Sequence, residues 1–260
     1  MLTVHNYQFG LLTPVAAYVV SCLGSFLGLR CASRARACAG AARARWLLLA
    51  AVSIGGAGIW AMNFIAMLGF AVPGAAIRYD VPVTVFSMVI AVGGTGIGLL
   101  IAGFRPGRIS LLSAGIVTGV GVAAMHYTAM AALRMPARIT YSAGLVSASV
   151  LVAIVVATAA FWAALRLRGI VATLGAAMLT GAAVSGMYVA GMAATRISPA
   201  PGLALTTSGM PALAFLLPLI AGVAIVAFGV VAIIALSPTA EELQAEAALL
   251  EYSRRRGPGV

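Results

Sequence analysis

Ionisable side chains are scarce in this 260-residue chain: 8% of its residues are charged, against about 25% in soluble domains. With 63% hydrophobic residues and a mean hydropathy of +1.10, a water-soluble globule is excluded. A disordered chain is excluded too, since it needs polarity to stay unfolded. Lysine is absent, and all 16 basic residues are arginine, which fits a GC-rich coding sequence. There are five acids, four of which (Glu241, Glu242, Glu246, Glu251) lie near the C-terminus, leaving Asp80 alone in the first 240 residues. Proton pumps and carboxylate catalysts carry acids inside their spans; no apolar run here holds one. No nucleophile–base pair or acid dyad is evident, so a membrane enzyme is discounted. The three cysteines are read as structural. Cys22 falls toward the inner end of the first apolar run, and Cys31 and Cys38 in an arginine-rich loop. The cytosol keeps thiols reduced, and their spacing without a neighbouring histidine does not suit zinc.

What the chain has in abundance is apolar runs. About 20 such residues cross a bilayer, and seven runs qualify: Phe9–Leu29, Trp46–Leu68, Val81–Gly103, Leu111–Leu133, Gly144–Leu165, Ile170–Ala194 and Ala212–Leu236. The first lacks a basic n-region and is read as a retained span. Arginine sets the orientation. Arg30, Arg34, Arg36, Arg43, Arg45, Arg105, Arg108, Arg166, Arg168, Arg254, Arg255 and Arg256 fall on one side, and Arg78, Arg134, Arg138 and Arg196 on the other. Positive charge stays cytoplasmic, so the N-terminus is expected outside and the C-terminus inside. The net charge of +11 then reads as a topology signal with attraction to the inner leaflet. Without interleaved stacking aromatics, it does not point to nucleic acid.

Three segments superpose: Gly56–Met67, Gly119–Met130 and Gly181–Met192. The first methionine of each motif recurs at Met62, Met125 and Met187, spaced by 63 and 62 residues. Met67, Met130 and Met192 follow five later, and Gly56, Gly119 and Gly181 precede by six. Each repeat is a helix pair, so the expected architecture is all-α: three two-helix repeats plus a seventh helix. Copies containing two spans keep one orientation, which places all three motifs near the outer ends of the second, fourth and sixth helices.

The motif, intact once as Met125-His126-Tyr127-Thr128, resembles the MHYT domain, and the flanking GIWAMNFIAMLGF, IRYDVPVTVFS and AAMHYTAMAALRM fit successive parts of it. The likeness runs from Tyr7 to the end of the seventh helix. It implies a bacterial seven-helix plasma-membrane module, residues 1–236, proposed in the family to sense oxygen, carbon monoxide or nitric oxide through copper held by motif Met and His residues. Many members are fused to domains that make or break cyclic di-GMP. On this reading the metal ligands are Met62, Met67, Met125, His126, Met130, Met187 and Met192. A full member would carry histidine where this chain has Asn63 and Tyr188, so a multi-histidine centre is not expected.

The residues themselves support a soft site. Thioethers favour Cu(I), and imidazole suits copper among other metals. His126 shares a helix face with Met130, as Asn63 does with Met67 and Tyr188 with Met192. The glycines and alanines before each motif allow close helix approach. His5 is a conceivable helper at the outer mouth. Each feature also has a plain packing reading. His126 could be a core histidine bonded to Tyr127, Thr118 or Asn63, the methionines could be adaptable fillers, and Asn63 could be interhelical glue.

Residues 237–260 read as a short cytoplasmic helix. Ser237-Pro238 suits its start, and Leu243, Ala247 and Leu250 form one stripe. The arginine triplet at 254–256 suits anionic lipid. With no room for an output domain there, signalling is expected to go through a separate cytoplasmic partner, and the stripe would suit a homodimer. The leading reading is therefore a non-enzymatic membrane sensor or ligand-binding module. The alternative is a small transporter or metal-handling permease on the same core, against which stands the lack of polar pathway residues in the inner half of the spans.

Overall fold

A computed structural model describes residues 10–70, 77–104, 107–166, 169–199 and 209–237. Among the described residues, seven helices are long and apolar enough to cross a membrane: α1 (Leu12–Ala37), α2 (Gly40–Met67), α3 (Val81–Phe104), α4 (Arg108–Ala131), α5 (Ala143–Arg166), α6 (Ile170–Ala193) and α7 (Ala212–Leu236). The chain is thus an all-α polytopic protein. Short strands β1 (Arg78–Tyr79), β2 (Leu133–Arg134), β3 (Ala137–Tyr141), β4 (Thr195–Pro199) and β5 (Met210–Pro211) cap one end. They pair antiparallel, as β2-β1-β5 and β3-β4. The hydropathy pattern gave no sign of them, because each strand is only two or five residues long.

The arginine-rich first loop is the main correction. Helix α1 runs on to Ala37 and α2 begins at Gly40, so Arg30, Arg34, Arg36, Arg43 and Arg45 are helical, and Cys31 is a buried helix residue. Alanine and arginine are good helix formers, and nothing in 30–37 stops the helix. Arg34 also donates to the carbonyls of Ile234 and Ser237, 2.9 Å each, tying α1 to the end of α7. Its guanidinium stacks over Trp46. Of the predicted tail, only Ser237 is described, and it closes α7 by donating to the Ile233 carbonyl. His5, Tyr7 and the rest of the tail lie outside the described residues.

Helices α1 to α6 pack in sequence, and α6 returns to α1, so the first six close a ring with α7 outside against α1 and α2. Glycines set the close approaches. A Cβ on Gly119 would meet the backbone of Ile154 at 2.5 Å, and one on Gly55 the Ala91 carbonyl at 2.7 Å. A Cβ on Gly181 would meet Cys22 of α1 at 2.7 Å. Ala153 and Ile154 stand 62 residues after Ala91 and Val92, so these are equivalent contacts, with α1 serving α6 as α3 serves α2 and α5 serves α4. The tight glycine in α2 is Gly55 and not Gly56, whose Cβ would meet side chains alone, Val92 at 3.7 Å and Val52 at 3.9 Å. Gly55 lies seven residues before its motif methionine, where Gly119 lies six before its own. The extra residue is absorbed by a π-helical stretch, Val52–Ala61, wound with i→i+5 bonds. The motif in α2 thereby returns to the same layer as the other two.

Candidate functional site

All six motif methionines are buried and belong to one core cluster that also contains Ile59, Val122 and Val184, each three residues before a motif methionine. None of the six faces lipid. Their helices end at Met67, Ala131 and Ala193, so the cluster lies at the end capped by the strands. Tyr188 is partly buried against it. The rings of Trp60, Phe64, Tyr79 and Phe215 form a chain of contacts 5.1–6.5 Å between centroids, which holds α7 and β1 to α2.

Within this layer, His126 and Asn63 are fully enclosed. The Nδ1 of His126 lies 2.7 Å from Oδ1 of Asn63, and the Asn63 amide nitrogen donates to the sulfur of Met67 at 3.1 Å. Of the three partners considered for the histidine, Asn63 makes the hydrogen bond. Tyr127 contributes its ring, edge to face at 5.2 Å, while its hydroxyl reaches Ser149 at 2.8 Å. Thr118 donates to the Gly94 carbonyl. The Tyr188 ring stands perpendicular to the imidazole at 5.7 Å. The Nε2 of His126 is buried and has no hydrogen-bond partner among the described residues. It faces α6 at Gly191, where a Cβ would sit 2.5 Å away. Positions four after the motif methionines are Ala66, Ala129 and Gly191; the loss of a methyl at the third makes room for the imidazole. That small-residue column was the available signal for Gly191, while Ser149 left none.

Among the described residues, no three His, Cys, Asp or Glu side chains come together as a metal group. The donors in the layer are therefore one imidazole nitrogen and thioethers, a soft set. Cys22 lies against Gly181, well away from His126 along the helices, and Cys31 is buried in α1 toward the opposite end. At the strand-capped end, Asp80 pairs with Arg134 at 2.6 Å. The Arg134 hydrogen bond, then that of the Val83 amide, holds its carboxyl below the usual range. Arg78 donates to the Gly209 carbonyl. Thus Arg78, Arg134, Arg138 and Arg196 all sit on this cap, and Arg30, Arg34, Arg36, Arg43, Arg45 and Arg108 cluster at the other end.

Repeated helix pairs closed into a ring, with a conserved-spacing Met/His layer at one end, define a multi-pass membrane module of internal-repeat type. A family described as "Bacterial signalling protein N terminal repeat" (MHYT) matches residues 56–115 and again 119–177. The chain belongs to this MHYT family and is a multi-pass protein of the bacterial plasma membrane. It is similar to two proteins of Pseudomonas aeruginosa. Identity is 36% over 184 residues to the bifunctional diguanylate cyclase/cyclic di-GMP phosphodiesterase MucR, covering 68% of this chain and 27% of that protein. It is 37% over 196 residues to the cyclic di-GMP phosphodiesterase NbdA, covering 73% and 25%. An uncharacterized signaling protein of Caulobacter vibrioides is 33% identical over 160 residues. The chain spans about a quarter of the length of these relatives. No solved structure matches it. The chain is accordingly a membrane signalling module; in the relatives, the named activities are those of much longer proteins.

Proposed function

We propose that this module receives its signal at the buried layer of His126, Asn63 and the six motif methionines, and that the ligand there is Cu(I). The observation that carries the reading is the enclosed Nε2 of His126, which has no partner among the described residues, on the helix that contributes Met125 and Met130 to the buried methionine cluster. A buried ring nitrogen without a partner costs free energy unless something binds it. The donor chemistry fits Cu(I): His126 would supply the nitrogen, and Met62, Met125, Met130, Met187 and Met192 are the thioethers from which its remaining ligands would come. Bound there, copper would supply a redox-responsive centre open to a diatomic gas. Met67 is the least suited, since its sulfur already accepts from Asn63. On this reading the chain has no catalysis of its own. Its output lies on the cytoplasmic side, in cyclic di-GMP turnover by a partner, as the relatives' names suggest.

Metal analysis of membrane-purified protein under reducing conditions tests the proposal. Wild type is expected to carry copper, His126→Ala none, and Met67→Leu nearly the wild-type amount. Paired Asn63→His and Tyr188→His changes should bind more strongly, because each adds an imidazole. A copper-free wild type beside a copper-loaded double variant would overturn metal sensing and leave a packing role. Reporter fusions after Arg108 and after Arg138 should read cytoplasmic and external.

A further inference from the structure

We propose that Asn63 is a positioning residue that locks His126 in its Nδ1–H form, so that the Nε2 lone pair is the one basic nitrogen the layer presents toward α6. The argument starts at Met67. A thioether accepts a hydrogen bond weakly and cannot donate one, so the atom of the Asn63 amide 3.1 Å from that sulfur must be its NH2. The carbonyl oxygen of the same amide then faces His126, and a carbonyl only accepts. At 2.7 Å, two facing lone pairs would repel, so Nδ1 carries the proton. In a neutral imidazole the other nitrogen is then the acceptor. That nitrogen is Nε2, enclosed, without a partner among the described residues and aimed at Gly191.

The sulfur of Met67 thus orients the amide, the amide orients the imidazole, and the imidazole presents its lone pair to the neighbouring helix. Asn63 comes from α2 and His126 from α4, 63 residues apart, so the lock spans two repeats. It also gives a role to a position where the family pattern calls for histidine: the nitrogen ligand lost at 63 is replaced by a second-sphere partner that orients the one remaining at 126. Outer-sphere partners of this kind set the tautomer and basicity of metal-bound histidines. The assignment of a metal ligand rests on the function proposed above; the tautomer does not.

The test uses the full chain in bilayers, metal-free, labelled with 15N-histidine in a His5→Gln background so that His126 alone is seen. Nuclear magnetic resonance should show a protonated Nδ1 and a bare Nε2. Asn63→Leu should redistribute the proton between the nitrogens, and Asn63→Asp, which keeps an oxygen acceptor, should retain Nδ1–H. Titration with Ag(I), standing in for Cu(I), should show affinity falling about 10–100-fold in Asn63→Leu. A protonated Nε2 in the wild type would overturn the proposal without any variant having to fold, and so would an unchanged tautomer in Asn63→Leu. A bare Nε2 in a wild type that takes no Ag(I) would uphold the lock and remove the metal reading instead.

Discussion

The two halves of the six-helix ring are built from the same repeats, yet they treat buried polar groups differently. At the strand-capped end, most polar side chains are knitted together: Asn63 to His126 and Met67, and Tyr127 to Ser149. Among the described residues, two atoms are left over there, the Nε2 of His126 and the hydroxyl of Thr13, which lines a small pocket with Met62 and Tyr188. Further along the helices lies a cavity of about 60 Å³, lined by apolar side chains together with Ser25, Thr95, Thr118 and Thr180. Two of those hydroxyls, on Ser25 and Thr95, are buried with no partner among the described residues, as are those of Ser21 and Ser53 nearby on α1 and α2. The difference comes from side-chain length. Histidine, asparagine and tyrosine are long enough to bond from one helix to the next, as His126–Asn63 and Tyr127–Ser149 do. Several serines and threonines bond back to their own helix instead, as Thr158, Thr180 and Ser185 do, and the inner half is drawn together by glycines that bring backbones into contact.

That comparison can be broken at its strongest point first. Gly24 of α1 lies against α2 so closely that a Cβ would fall 2.3 Å from the backbone nitrogen of Gly58. Backbone cannot swing aside, so Gly24→Ala is expected to cost about 1–3 kcal/mol or more and to cut the yield of folded protein sharply in size-exclusion chromatography. Gly93→Ala, where nothing lies within 4 Å, should be silent. Equal behaviour of the two would refute ring closure by glycine contact.

A matched pair of hydroxyl deletions sharpens the contrast between the halves. Tyr127→Phe removes a hydroxyl bonded to Ser149 and should lower stability by about 0.5–1.5 kcal/mol. Thr95→Val replaces an unpartnered buried hydroxyl by a methyl of similar size and should leave the melting temperature unchanged or raised. Thermal unfolding in detergent checks both; a large loss in Thr95→Val would mean that its hydroxyl has a partner after all.

The smallest effect concerns the cap. Asp80 is held ionised by Arg134, so its contribution to stability is present above the ordinary carboxylate range near pH 4. That contribution is lost as pH falls through the lowered value. The melting-temperature gap between wild type and Asp80→Asn should therefore be visible at pH 7, close as pH falls well below the ordinary carboxylate range, and shrink with added salt, since both partners are partly exposed. A gap that persists at low pH would point to the Asp80–Val83 helix-start bond instead of the ion pair.

Sequence reading located the seven spans to within a few residues except at the first loop. There a charged, alanine-rich segment stayed helical because arginines suit both a helix and the carbonyl ends of α7. The motif residues were legible by repetition, and the face shared by His126 and Met130 followed from helical spacing. The role of Asn63 was not legible, because which of three candidate partners satisfies His126 depends on how α2 and α4 rotate against each other. Superposing motifs matched Gly56 with Gly119, and only the π-helical winding of 52–61 shows that Gly55 takes the equivalent place.

Membrane insertion, the number of spans, the internal repeat and the family were set by local properties: hydropathy over about 20 residues, arginine placement and fixed motif spacing. Closure of the ring by α1, displacement of α7 to its outside, the one-residue offset in α2 and the bond from Asn63 to His126 belong to the tertiary structure. Ring closure and the Asn63–His126 bond join positions far apart in the chain, the first through close backbone contacts and the second through side chains. A sequence pattern shows which residues are small or polar, and only packing decides which of them meet.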